Sequence, residues 1–211
     1  MQRRWGGFSL IGIGRPVTFA QMAKNELSPD LPQRHNRLAT TADLDAMRSL
    51  MQMSITELQK PYLSAEQIAA SRTIMGLDTQ LVADQTYFVV ETDGQLVGCG
   101  GWSRRATLYG SDATPGRSAA LLDPNTDAAR IRAMYTHPAH TRKGIGRLLL
   151  ALCERAAASE GFRRAELVAT LSGEALYAAC GYVAIEHFND ARGGTGVPLV
   201  RMSRVIGAAA P

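Results

Sequence analysis

Cysteine, long apolar runs and one-sided charge are all in short supply in this chain of 211 residues, and each shortage excludes something. The three cysteines, Cys99, Cys153 and Cys180, are too far apart for a CxxC zinc site or a disulfide framework. No stretch approaches the roughly 18 apolar residues of a membrane-spanning helix, so no membrane partner is expected. Lys and Arg number 23 against 19 Asp and Glu, a net charge of +4. That mild excess suits an anionic small ligand. The arginines are scattered rather than gathered on one face with aromatic readers, which argues against a nucleic-acid partner. A Walker phosphate loop and a nucleophile elbow are both missing, and Gly12-Ile-Gly14 and Gly144-Ile-Gly146 each lack the third glycine of a dinucleotide fingerprint. His137-Pro-Ala-His140 has a metal-like look, but no cysteine or carboxylate stands nearby to complete three or four ligands, so no metal is expected.

What is present belongs to one globular domain. Hydrophobic residues make up 45% and charged residues 20% of the chain, near the averages for such domains. Residues 1–33 stand apart. Arg3 and Arg4 precede a glycine-broken apolar stretch, Phe8 to Ile13, too short and too poorly followed to read as a signal peptide. This segment reads as a loosely attached extension, with Met22 as an alternative start, ahead of a cytoplasmic domain over 34–206 and a short tail, 207–211.

From Arg34 onward the punctuation is regular. A short strand near Asn36–Thr40 leads to Thr41, which is expected to cap a helix carrying Leu44, Met47, Leu50, Met51 and Ile55 at helical spacing. Ser64 and Gln67 form a capping box opening a second helix from Ala65 to about Met75. Asp93-Gly94 joins two β-rich runs, Thr86–Glu91 and Gln95–Trp102, into a hairpin. A polar loop follows over Arg105–Asp127, long enough to be functional or an insertion. The second half reads as strand Ala129–Thr136, helix Gly144–Ser159, strand Arg164–Thr170, helix Gly173–Cys180 and strands Tyr182–Phe188 and Leu199–Arg204. The fold class is therefore α/β, a mixed sheet covered by helices.

The most informative stretch is Thr141-Arg-Lys-Gly-Ile-Gly-Arg147, between a strand end and a helix start. A helix N-terminus leaves backbone N–H groups unpaired and carries partial positive charge, so acidic residues belong there. Here Arg142, Lys143 and Arg147 crowd that end, and Gly144 and Gly146 remove side chains beside the backbone. A bound phosphate accounts for both choices, whereas a glycine-relieved turn with solvated arginines accounts for only one.

Met134-Tyr-Thr136, His137-Pro138 and Arg142-Lys-Gly-Ile-Gly-Arg147 together resemble the acyl-CoA-binding motif of the GCN5-related N-acetyltransferases. Leu171-Ser-Gly-Glu-Ala-Leu-Tyr177-Ala-Ala-Cys-Gly-Tyr182 is similar to the family's segment from the fifth strand into the next helix, and the strong similarity spans about Tyr87–Phe188. The resemblance implies a mostly antiparallel mixed sheet splayed between its fourth and fifth strands, between Met134–Thr136 and Leu167–Ala169. It implies acetyl-CoA as cosubstrate, with the backbone of Met134, Tyr135 and Thr136 pairing with the pantetheine arm. Arg142, Lys143, Gly144, Ile145, Gly146 and Arg147 would cradle the pyrophosphate, and Tyr177 matches the usual general acid. The implied reaction is transfer of acetyl to a primary amine, on a small molecule or a peptide, by direct attack in a ternary complex.

The chain also departs from the family pattern. Thr141 stands where Gln or Arg is usual, and an asparagine that often follows the fifth strand is absent, leaving Thr170 or Ser172 to substitute. The fourth strand has no carboxylate, so Glu91, Glu166, His137 or a water relay remain as bases. That gap keeps a non-catalytic acyl-CoA-binding regulatory module as the alternative function. A homodimer is left open. Trp102 with Arg104 and Arg105 reads either as an acceptor pocket for an acidic substrate or as a solvated strand edge. The methionines, Met47, Met51 and Met53 among them, read as core filler, and Cys180 as a small buried hydrophobe.

Overall fold

The computed structural model describes residues 34–207, so the extension read over 1–33 and nearly all of the tail lie outside the described residues. Seven strands form one sheet: β1 (Arg34–Leu38), β2 (Tyr87–Thr92), β3 (Gln95–Ser103), β4 (Ala129–Thr136), β5 (Arg164–Thr170), β6 (Val183–Asp190) and β7 (Val197–Val205). Their spatial order is β1-β2-β3-β4-β5-β7-β6, and β4–β5 is the parallel pair in an otherwise antiparallel sheet. Five helices cover it: α1 (Leu44–Leu58), α2 (Ala65–Ser71), α3 (Thr79–Ala83), α4 (Ile145–Ser159) and α5 (Leu171–Ala179).

The helices divide between the two faces. Met47, Leu50, Met51 and Ile55 are buried along one side of α1, as their spacing predicts, and pack on Tyr87, Val89, Cys99 and Tyr135. On the opposite face, Leu150, Cys153 and Ala157 of α4 meet Trp102, Ile131, Leu167 and Tyr177. Each aliphatic side chain so buried contributes roughly 1.5–3 kcal/mol. Met53, by contrast, is exposed.

Several local readings shift. The cap is Thr40, whose capping box with Asp43 opens a 3-10 turn before α1. The Ser64–Gln67 capping box is present, but α2 ends at Ser71 instead of near Met75. Tertiary contacts end it: Ile74 is buried against Ala70, Val197 and Leu199, and the Gly76 N–H donates to the Tyr135 hydroxyl at 2.9 Å. Helix α3 is an addition, its first N–H (Thr79) capped by the Asp112 carboxylate from the long loop. Trp102 is neither pocket nor edge, being 1% exposed and stacked edge-on against Phe162.

Candidate active site

Strands β4 and β5 are paired at one end alone, Ala129 with Ala165 and Arg130 with Glu166. Beyond that point both strands continue, β4 to Thr136 and β5 to Thr170, without meeting. The splay therefore lies where the sequence places it. A bulge in β4 helps to open it. Gly101 stands opposite Arg132 and Cys99 opposite Tyr135, so Ala133 and Met134 together face one residue of β3. Ala133 adopts φ 51° to do so, and its carbonyl accepts from the Tyr87 hydroxyl at 3.0 Å.

A cavity of about 90 Å³ opens at the splay, and Met134, Thr170 and Tyr177 line it together. Tyr135 and its neighbours reach it from β4, and Ile74, Met75, Tyr109 and Leu199 close it from the α1–α2 side. Tyr177 is 8% exposed, set edge-on to Tyr182 within the α4–α5 core. Burial pushes its phenol well above the usual tyrosine value, with the neighbouring Cys153 and Cys180 adding to the shift. The phenol thus remains protonated at neutral pH and able to donate. Thr170 stands at the N-cap position of α5 without a side-chain bond to the helix backbone, and its hydroxyl lies 2.9 Å from that of Ser172. The two substitutes for the missing asparagine sit together.

At the mouth of the splay, His137 caps a short turn, its Nδ1 accepting from the Ala139 N–H at 3.1 Å, and the chain then curls into α4. Arg142 and Gly144 both adopt left-handed backbone, at φ 60° and 80°. Such turns form the concavities that hold anions, and α4 has no side-chain cap on its N-terminal N–H groups. The glycines divide the work in a way the sequence does not reveal. Gly144 meets its conformational demand in open space, whereas a Cβ on Gly146 would lie 2.7 Å from Leu176 Cδ2 on α5. Gly146 thus faces the tip of Leu176, and Gly144 faces open space. The residues present therefore fit a diphosphate.

The profile of the acetyltransferase (GNAT) family matches residues 47–182 of the chain. The chain belongs to that family. It is an N-acyltransferase. Among solved structures it resembles a GCN5-related N-acetyltransferase from Rhodopseudomonas palustris, with TM-score 0.61, 18% identity and coverage of 83% of this chain and 98% of that one. It also resembles the N-acetyltransferase PaiA of Thermoplasma acidophilum, held with coenzyme A (TM-score 0.56, 15% identity, 82% and 99% covered). A third is YncA of Salmonella typhimurium, held with acetyl-CoA (TM-score 0.56, 18% identity, 85% and 97% covered). At these identities the likeness is one of fold. No curated protein sequence matches the chain.

None of the side chains weighed as base lines the acetyltransferase cavity. Glu91 is held by Arg37 on the β1–β2 edge, His137 is engaged in its own turn, and Glu166 is gripped by Arg130 at 2.6 Å and Arg201 at 2.8 Å. The cavity instead brings in residues that the sequence reading passes over. Arg132, 5% exposed, donates from Nη2 to the Gly110 carbonyl and pairs with Asp78, both at 2.9 Å. Burial pulls its guanidinium below the usual arginine value, and Asp78 opposes that. Tyr109 donates its hydroxyl to Asp190 at 2.9 Å, fastening the long loop to β6. A signal for Arg132 was available: Arg130 and Arg132 alternate with buried Ala129 and Ile131, which sets two arginines on one face of a central strand. Among the described residues no cluster of His, Cys, Asp or Glu is arranged to hold a metal, and no helix is long and apolar enough to cross a membrane.

Proposed function

We propose that this acetyltransferase uses acetyl-CoA and moves the acetyl group directly onto a primary amine, with both substrates bound at once. The observation that carries the reading is the splay itself: two strands paired at a single end, left-handed backbone at Arg142 and Gly144 ahead of a helix N-terminus with no side-chain cap, and a buried protonated phenol on the cavity wall. The thioester supplies an activated acyl carbon, and the protein supplies placement and protons. The free backbone edge of Met134, Tyr135 and Thr136 takes the pantetheine arm as an added strand. Arg142, Lys143 and Arg147, with the N–H groups around Gly144, Ile145 and Gly146, hold the diphosphate. Thr170 with Ser172 takes the place of the absent asparagine. As the amine nitrogen bonds to the acyl carbon, the carbon–sulfur bond breaks, and Tyr177 delivers its proton to the departing sulfur. The nitrogen's own proton leaves through water.

The test is a thermal-shift titration with acetyl-CoA followed by a thiol-release screen of amine acceptors. A raised midpoint together with turnover above hydrolysis supports the reading. A flat titration at near-millimolar acetyl-CoA overturns it.

A further inference from the structure

The cavity walls identify a kind of acceptor. Five side chains that face it from the acceptor side, Ile74, Met75, Tyr109, Val168 and Leu199, are apolar or aromatic, and no carboxylate is among its lining residues. The carboxylates around it are already committed. Asp78 is held by Arg117 and Arg132, Glu166 by Arg130 and Arg201, and Asp190 by Arg192 and Tyr109. Glu186, opposite Arg201 on β6, is exposed and does not line the cavity. A polyamine, an aminoglycoside or a lysine-rich segment needs a free carboxylate for each additional cation. This site offers none.

It offers donors instead. Arg130, Arg132 and Arg201 each keep a buried Nε–H with no hydrogen-bond partner among the described residues. Arg132 is the one that lines the cavity, and it is more than nine-tenths buried. Its Nη2 is taken up by the Gly110 carbonyl and Asp78, so the unused Nε–H is the donor left for one oxygen of an oxyanion.

Resting on the acetyl-transfer reading above, we propose that the acceptor is a small α-amino acid with an apolar side chain, its carboxylate met by Arg132. The side chain fills the apolar wall, and the amine faces the splay. The reaction balances without further reactants: the N–C bond forms, the C–S bond breaks, sulfur gains the Tyr177 proton, and the nitrogen's proton passes through water to restore the phenol.

The test uses the full chain, acetyl-CoA and matched acceptors: leucine, methionine and phenylalanine, their primary amides, and the amines that lack the carboxylate altogether. Spermidine and a peptide beginning with methionine complete the panel. The free amino acids are expected to show kcat/KM at least tenfold above their amides and simple amines, with spermidine lowest. In Arg132→Gln that preference should collapse, the KM of the free amino acids rising at least tenfold toward that of their amides. Should that variant fail to fold, Arg132→Gln combined with Asp78→Asn removes both charges of the pair, and the wild-type comparison stands without either variant. Amides, spermidine or the peptide equalling or exceeding the free amino acids overturns the inference. So does acetyl-CoA binding with no amino acid turned over. Failure of acetyl-CoA to bind at all overturns the acetyl-transfer reading instead.

Discussion

The two faces of the sheet at the splay are built from different materials. On the α4–α5 face, Trp102, Ile131, Leu167, Ala169 and Tyr177 form a continuous apolar core, and the diphosphate turn grows directly out of β4. On the α1–α3 face, the same two strands present Arg130, Arg132 and Glu166, tied to Asp78, Arg117 and Arg201. The first face is apolar packing beside a turn of contiguous residues, the one proposed to hold the cosubstrate. The second is stitched by ion pairs between residues tens of positions apart.

The largest expected effect comes from breaking the charged face. Asp78 is fully buried between Arg117 and Arg132, at 2.5 and 2.9 Å, so Asp78→Ala leaves a guanidinium in the interior without its partner. A loss of about 3–5 kcal/mol in urea unfolding is expected. A loss below about 1 kcal/mol would show that this face is not held by its ion pairs.

Next is the apolar face. Tyr177→Phe keeps the ring and removes the proton donor, so acetyl-CoA binding should persist while turnover falls roughly 100-fold. Turnover within about twofold, on an acceptor whose chemical step limits the rate, would assign the proton to water. A smaller loss follows from the turn between the faces. Gly144→Val forces a branched side chain into left-handed backbone at φ 80°, worth about 1–3 kcal/mol, and should weaken acetyl-CoA binding about tenfold or more by calorimetry. Unchanged affinity would make the turn a connector only.

The smallest effect lies at the start of α1, away from both faces of the splay. The Arg37 guanidinium, together with the Thr40 N–H and hydroxyl, holds the Asp43 carboxyl well below the usual carboxylate range. Because the folded value is depressed, its stabilisation is present above the unfolded value near ~4 and is lost as pH falls through the folded one. Asp43→Ala should therefore cost about 1–2 kcal/mol at neutral pH, the range for a lost helix cap, with the difference from wild type shrinking below pH ~4. A pH-independent difference would mean that shape and not charge is what Asp43 contributes.

How much was legible beforehand follows the same division. Strands β4 and β5 were read to the residue, because an alternating or continuous apolar run between turn signals needs no knowledge of distant partners. The turn at Arg142–Arg147 was legible because its glycines mark a break in the chain just ahead of a helix, where Gly144 adopts left-handed backbone. Helix α3 was not, since its cap is Asp112, 33 residues away. The end of α2 was missed because Ile74 and Gly76 answer to β7 and Tyr135, not to their neighbours in sequence.

Local sequence by itself determined the strand and helix periods, the Ser64–Gln67 capping box and the turn before α4, all of which depend on interactions within a few residues. Tertiary structure alone decided that Gly146 faces Leu176, that Trp102 is core, and that Arg132 stands buried beside Asp78 in the wall of the splay cavity. The physical reason is range. Backbone propensity, capping and helix dipoles act along the chain, whereas burial and the pairing of charges act between surfaces that exist only once the sheet has formed.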